Sequence, residues 1–281
     1  MPIPMQGLVS VDTTAALVRL AVVLALVVAL AATVTRVAGL GYSRAQVTAA
    51  LRATVQLAVV GSVITAVLDS WWLTAGFAAL MVCVASVTAG RRVAPRGSRA
   101  WVWGLLPICA GALPMAAILL ATGVVPLVPI AVVPVVGILV GGAMTATTLA
   151  GRRVQDALRT RHGEVEAALS IGFLDREARL LVSRSDAGLA LVPGLDQTRT
   201  VGLVTLPGAF VGMLLGGATP LQAAAVQLVV LVALLLVAAV ATTITLELSA
   251  RGIFSDSAQG ALAAPSRSSS TAHSQAISRQ A

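Results

Sequence analysis

Residues 222–248 read QAAAVQLVVLVALLLVAAVATTITLEL, and the one charged side chain among them is Glu247, next to the end. A helix needs about 20 mainly apolar residues to cross about 30 Å of hydrocarbon, so this stretch predicts a membrane-spanning helix. Six further stretches of the same kind lie near residues 15–35, 47–68, 71–89, 101–122, 126–149 and 200–217. The expected fold class is therefore all-α, a polytopic membrane protein with about seven transmembrane helices. Composition points the same way: 58% of the 281 residues are hydrophobic, 11% are charged, and the mean hydropathy is +0.95. A soluble domain carries about a quarter charged residues, so a water-soluble globule is excluded, as is disorder over most of the chain.

Three turns between these stretches are very short: Asp69-Ser70, Thr122-Gly123-Val124 and Ala218-Thr219-Pro220. Short turns force antiparallel neighbours, hence helical hairpins. Arginine placement then orients them. Arg36, Arg44 and Arg52 follow the first span, and Arg91, Arg92, Arg96 and Arg99 separate the third from the fourth. Eight more lie between Arg152 and Arg199, and Arg251, Arg267 and Arg279 follow the last span, leaving Arg19 alone on the other side. Cytoplasmic loops carry the basic excess, so the N-terminus is expected outside and the C-terminus inside. The net charge of +8 is accounted for by this orientation and calls for no nucleic acid. Without a basic n-region, the N-terminal segment does not read as a cleavable signal peptide. Residues 1–254 read as one transmembrane permease domain with a cytoplasmic loop at about 151–198. Residues 255–281, rich in Ser, Ala and Gln, read as a disordered cytoplasmic tail.

The sequence also narrows the chemistry. There is no Lys among the nineteen basic residues, which excludes a P-loop, a Schiff base or a pyridoxal site on this chain. If the work consumes ATP, another chain binds it. Cys83 and Cys109 lie in apolar stretches and read as small core residues. His162 and His273 lie in polar segments, so neither a buried zinc site nor an intramembrane Ser–His protease is expected. Arg19, Arg52 and Glu247 sit within about two turns of a span end, where long side chains reach the headgroups. With no other charge in the spans, a proton relay and a voltage sensor are not expected.

The spans hold small and weakly polar residues instead. Gly137 and Gly141, with Gly142 beside them, form a small-xxx-small pattern that allows close helix approach; Met144, Thr145, Thr147 and Thr148 follow. Pro126, Pro129 and Pro134 interrupt the fifth span, and Leu206-Pro207-Gly208 breaks the sixth. A proline inside a span frees a carbonyl, which marks either a structural kink or a substrate path. Gln56 and Gln227 are the strongest hydrogen-bonding groups, as interhelical contacts or as path residues. In the long loop, Val154, Leu158, Val165 and Leu169 recur at helical spacing, and Leu180, Leu181, Leu189 and Val192 continue a second pattern. These predict amphipathic helices that dock a soluble partner or lie on anionic headgroups.

Within that loop Glu166-Ala167-Ala168-Leu169-Ser170-Ile171-Gly172 fits the Glu-Ala-Ala-xxx-Gly pattern with which importer permeases of ABC transporters engage their ATPase. The Leu-Pro usual near that Gly is absent; Val192-Pro193 comes further on. The segments Thr200 to Gly208 (TVGLVTLPG) and Leu215 to Ala223 (LGGATPLQA) resemble the bacterial iron-export ABC permease family, related to the membrane subunit of plant aluminium-tolerance transporters. Leu51 to Leu57 with Gly61, Val133 to Gly137, Ala143 to Ala146, and Glu166 to Gly172 extend the resemblance over nearly all of residues 15–250.

The resemblance implies a non-enzymatic permease subunit in a bacterial plasma membrane. It would work as a homodimer with a separate ATPase subunit that holds ATP and Mg, bind no cofactor itself, and export metal ions, iron among them. Glu164, Glu166, Ala167, Ala168 and Gly172 are the candidate ATPase-coupling residues. Arg52, Gln56, Gly137, Gly141, Met144, Thr145, Pro207, Gly208, Met213 and Gln227 are the candidates for the translocation path or its gate; no metal-ligand set is assigned. Gly142 stands where the family has Asn, Ala209-Phe210-Val211 where it has a Met-rich run, and Val226 where it has Tyr. Each change removes a polar or sulfur group from the path. The alternative is an ATP-independent secondary transporter or channel.

Overall fold

The computed structural model describes residues 13–95 and 97–254; the expected C-terminal tail lies outside them. Among the described residues six helices are long and apolar enough to cross a bilayer. They are α1 (Thr14–Val37), α2 (Ser43–Asp69), α3 (Trp71–Val93), α4 (Leu105–Ala121, preceded by a 3₁₀ segment Arg99–Gly104), α5 (Pro129–Thr160) and α10 (Pro220–Ala250). The chain is a multi-pass membrane protein. The connection after α5 forms α6 (His162–Ser170), α7 (Asp175–Gly188), a 3₁₀ turn (Leu189–Leu191), α8 (Val192–Thr200) and α9 (Gly208–Leu215).

Helix ends follow local chemistry. The turn after α4 closes on Gly123 at φ +71, a left-handed conformation that costs glycine nothing. α10 opens with a capping box, in which the Thr219 hydroxyl accepts from Gln222 N–H and Gln222 Oε1 accepts from Thr219 N–H. Pro129 sits at the first position of α5, where its missing N–H costs no helical bond. Two of the three prolines expected to interrupt the fifth span thus precede or start its helix, and Pro134 alone lies inside it.

The chain divides into two compact units, residues 1–74 and 75–281. In the first, α1 packs against α2, and Thr35 Oγ1 donates to Gln46 Oε1 at 3.0 Å. The Thr74 hydroxyl donates to Val67 O at 2.7 Å, fastening the start of α3 to the end of α2. The α1 side chains are largely exposed apolar groups, such as Val18, Val22 and Leu30, as a lipid-facing hairpin requires.

In the second unit α4, α5 and α10 interlock around Ile108, Leu139, Ala143, Val237 and Ala241. Small residues let backbones meet. A Cβ on Gly90 of α3 would lie 2.0 Å from the Trp101 carbonyl oxygen, and one on Gly104 would lie 2.7 Å from Gly90 Cα. The Arg91 guanidinium stacks over the Trp101 ring at 5.6 Å. Gly137 abuts Met81 of α3 and Gly142 abuts Leu234 of α10, whereas a Cβ on Gly141 would meet nothing within 4 Å. The expected Gly137–Gly141 seam is therefore a pair of separate close approaches, with Gly142 in place of Gly141.

The region expected as one span at 200–217 is not a single helix. α8 ends at Thr200, residues 201–207 turn back on themselves, and α9 has eight residues, about 12 Å of helix against about 30 Å of hydrocarbon. The turn satisfies its own backbone: Thr200 O accepts from Val204 N–H at 2.9 Å, and Thr205 O accepts from Gly202 N–H at 2.9 Å. Gly202, at φ +82, permits the reversal.

Candidate functional site

Two regions carry polar chemistry. The first is the elbow formed by the lower end of α5, α6 and α7. Val154 is buried within α5, which runs unbroken to Thr160, so residues 151–160 continue the helix of the fifth span. Val165 and Ala168 of α6 pack on Ala178 and Val182 of α7, with Leu158 beside them. The second expected stripe is shifted: Leu181, Leu189 and Val192 are exposed, and Ala178, Val182, Ser183 and Ala187 face inward. Small residues bury where helices run closely together.

Arg161 pairs with Asp186, closing the elbow, and Arg176 of α7 forms a bidentate pair with Glu247 of α10. Glu247 also accepts from Arg251 Nε at 2.6 Å. Hydrogen bonding to Glu247 holds the Arg176 guanidinium above its ordinary pKa. Gln155 donates its amide to the carbonyl oxygens of Val93 and of Phe254, the latter at 3.2 Å. It thereby ties α5 to the ends of α3 and α10.

The candidate coupling residues lie at the tip of this elbow. Glu164, Glu166, Ala167 and Gly172 are exposed, and Ala168 is buried against α7. His162 Nδ1 lies 3.4 Å from Glu166 Oε1. α6 ends in a Schellman motif: Phe173 N–H bonds Ala168 O, Gly172 N–H bonds Leu169 O, and Gly172 sits at φ +97. Beyond it Ile171 and Leu174 stand 76% and 69% exposed, an apolar knuckle flanked by carboxylates.

The second region is the broken segment against α10. A cavity of about 420 Å³ is walled by Val201, Gly202, Leu206, Pro207 and Phe210 on one side, and by Ala224, Gln227, Leu228 and Leu231 of α10 on the other. Gln227 is 7% exposed, and its Oε1 has no hydrogen-bond partner. A buried unpaired acceptor costs about 1–3 kcal/mol, so such a group is retained where something else donates to it. Pro207 and Gln227 thus line the same cavity. Gly208 and Met213 lie on α9, while Gly137, Gly141, Met144 and Thr145 lie along α5. Thr145 Oγ1 returns to Gly141 O at 3.0 Å. Arg52 and Gln56 are exposed on α2 of the first unit. A larger cavity of about 570 Å³, lined by Ala78, Val82, Cys83, Leu105 and Val136 among others, is almost wholly hydrocarbon. Among the described residues no group of three or more His, Cys, Asp or Glu side chains could hold a metal ion.

The sequence places Asp196 and Arg199 in the long polar loop; the structure does not. A Cβ on Gly194 would lie 3.8 Å from Leu235 Cδ2, and Val201 shares the cavity wall with Leu228 and Leu231. α8 therefore rises antiparallel to α10 from the level of Leu235 to that of Leu231 and Leu228. No charged residue occurs in α10 between Leu221 and Leu246, so Asp196 and Arg199 stand beside its apolar middle. α8 thus packs along α10, a placement that composition alone does not give. A charge at bilayer centre costs about 2.5–3.5 kcal/mol on insertion scales, which hydropathy alone assigns to a loop.

Comparison with known proteins places this architecture. The profile of a family described as Uncharacterised protein family (UPF0014) matches residues 17–254. The chain is 36% identical over 210 residues to UPF0014 membrane protein STAR2 of Oryza sativa subsp. japonica, covering 73% of this chain and 72% of that protein. It is 38% identical over 185 residues to Protein ALUMINUM SENSITIVE 3 of Arabidopsis thaliana, covering 64% and 66%. It is 28% identical over 205 residues to the protein named probable iron export permease protein FetB of Escherichia coli (strain K12), covering 72% and 79%. No solved structure matches.

Proposed function

The chain belongs to the UPF0014 family, and from that membership we propose that it is the membrane-spanning permease subunit of an ABC transporter that exports metal ions from a bacterial cell. The likeness to the protein named an iron export permease carries the substrate class. ATP and Mg are held by a separate ATPase subunit, two copies of this chain pair with two ATPases, and this chain performs no covalent chemistry. The N-terminus faces outward and the C-terminus inward: the six long helices and a seventh, broken crossing through α8 and α9 leave the termini on opposite sides, in keeping with the arginines that follow α1, α3 and α5.

The single observation that supports coupling is the elbow tip. α6 presents Glu164, Glu166 and Ala167, followed by an exposed apolar knuckle, at the end of a helix pair braced by Arg161–Asp186 and Arg176–Glu247. A groove on an ATPase that accepts a short helix suits this shape: small residues allow approach, Ile171 and Leu174 supply apolar area, and Gly172 sets the exit angle. ATP-driven closure of the ATPases would push this elbow, and α5 and α10 would carry the push toward the cavity at Pro207 and Gln227. The substrate meets the Gln227 amide oxygen and the backbone oxygens of the turn there, the donors a hard cation accepts.

Co-purification with an ATPase subunit tests the reading. Glu166→Arg with Gly172→Arg is expected to abolish association, and an intact complex would overturn it. Cells lacking the gene should accumulate iron or another metal; unchanged metal content across the transition series would remove the substrate class.

A further inference from the structure

Asp196, Gln197 and Arg199 occupy a position that neither lipid nor the packed core can explain. The charge-free run of α10, from Leu221 to Leu246, is about 39 Å long at 1.5 Å per residue. Any placement of about 30 Å of hydrocarbon along it includes Leu228 through Leu235. α8 is held at that level at both ends, by Gly194 against Leu235 and by Val201 at the cavity beside Leu228 and Leu231.

The orientation of α8 about its own axis is equally defined. Gly194, Thr198 and Thr200 are half-buried on the packed side, whereas the side chains of Asp196 and Arg199 are 62% and 72% exposed, 3.7 Å apart. Thr198 and Thr200 spend their hydroxyls on Gly194 O and Asp196 O, so the polar capacity that remains points outward. Ionisable side chains at this depth face water or protein, not acyl chains. The turn that follows, residues 201–207, is non-helical backbone, which survives in a membrane where it lines a cavity. Gln227 adds a sign of polar demand directly beyond α8. It is more than nine-tenths buried, has an acceptor oxygen with no donor, and sits in the wall of the cavity between that turn and α10, a cavity that Asp196, Gln197 and Arg199 do not themselves line.

We infer that the Asp196–Gln197–Arg199 face of α8 lines a water-filled path through the bilayer, in which Asp196 attracts a hydrated cation and Arg199 limits how tightly it is held. The inference rests on the transporter reading for the use of the path, but water at this face can be tested without transport.

The test uses the full chain in membrane vesicles with Cys83→Ala and Cys109→Ala as background. Single cysteines are placed by Asp196→Cys, Gln197→Cys and, as apolar comparators on α10, Val232→Cys and Leu236→Cys. Membrane-impermeant methanethiosulfonates react with the thiolate, whose formation burial in an apolar site suppresses. Gln197→Cys is therefore expected to react about 100-fold faster than either comparator. Because Gln197→Cys leaves both charges in place, the result does not depend on the membrane tolerating a lost ion pair. Adding Asp196→Asn to Gln197→Cys should lower the preference for a cationic over an anionic reagent several-fold, and adding Arg199→Gln should raise it. Reaction of Gln197→Cys no faster than Val232→Cys would overturn the inference, as would oxidative cross-linking of Gln197→Cys between two copies without labelling. Labelling together with metal efflux indifferent to ATP would strike the exporter reading and leave the water-filled path standing.

Discussion

Arg176 and Glu247 are 71 residues apart in sequence, yet the guanidinium meets the carboxylate with two hydrogen bonds of 2.7 Å each, Nε to Oε1 and Nη2 to Oε2. Fork-on-fork geometry fixes direction as well as distance, so α7 cannot rotate against α10 without breaking it. Arg176→Ala is expected to quicken amide hydrogen exchange across α7 several-fold and to weaken stimulation of the ATPase by this chain, while leaving the complex assembled. Exchange in α7 indistinguishable from the unaltered chain would show the pair to be ornamental. Combining Arg176→Glu with Glu247→Arg should recover part of the protection, a coupling that a double-mutant cycle isolates.

Gly172 closes α6 at φ +97, and a Cβ there has no steric neighbour within 4 Å. The cost of Gly172→Ala is therefore conformational, roughly 1–2 kcal/mol for a left-handed residue with a side chain. Folding of the bundle should change little, because the tip is exposed. Affinity for the ATPase should fall about tenfold, since 1.4 kcal/mol is a factor of ten, and a titration of the two purified subunits measures it.

The glycines of the bundle should separate sharply by position. Gly90→Ala drives a methyl into the Trp101 backbone carbonyl, which no rotamer change relieves, and is expected to cost about 3 kcal/mol. Gly141→Ala meets open space and should be neutral or stabilise by up to about 1 kcal/mol, through helix propensity alone. Thermal unfolding in detergent distinguishes the two, and equal losses would show that the α3–α4 crossing is not the close contact described here.

Gln227→Leu removes a buried acceptor that has no partner and keeps most of the volume. Stability should rise by about 1 kcal/mol while transport falls at least several-fold. A stable variant that transports normally would reduce Gln227 to packing. Gain in one property with loss in the other is the mark of a residue kept for function.

The six long helices were legible because each holds a run of apolar residues that only lipid or a core can accommodate. Three of the turns between the spans were legible too, at Asp69-Ser70, Thr122-Gly123-Val124 and Ala218-Thr219-Pro220. The region from Val192 to Gly217 was not. Hydropathy charges Asp196, Gln197 and Arg199 with the cost of facing lipid and so read α8 as loop, while it credits Leu203 and Val204, 91% and 78% exposed on a turn, as span. Periodicity cannot say which side of a helix meets water inside a membrane. The signal that was present lies in the punctuation: Pro193 opening a helix, Gly202 reversing it, and Pro207-Gly208 opening the next. At the site, Pro207 and Gln227 could be singled out from the sequence as groups a span must satisfy, but not their meeting in one cavity. The role of Gly142 was hidden by Gly141 beside it, since spacing alone offers both and only the position of Leu234 chooses.

α5 is 32 residues long, and after Pro134 it continues unbroken from Val135 to Thr160, about 39 Å of helix. Such a rod works as a lever arm. Tilting it by about 10° displaces one end by about 7 Å relative to the other, more than one helical turn, with no hinge along its length to absorb the movement. A small angular input at the α6 junction would thus arrive at the far side of the membrane as a large linear one.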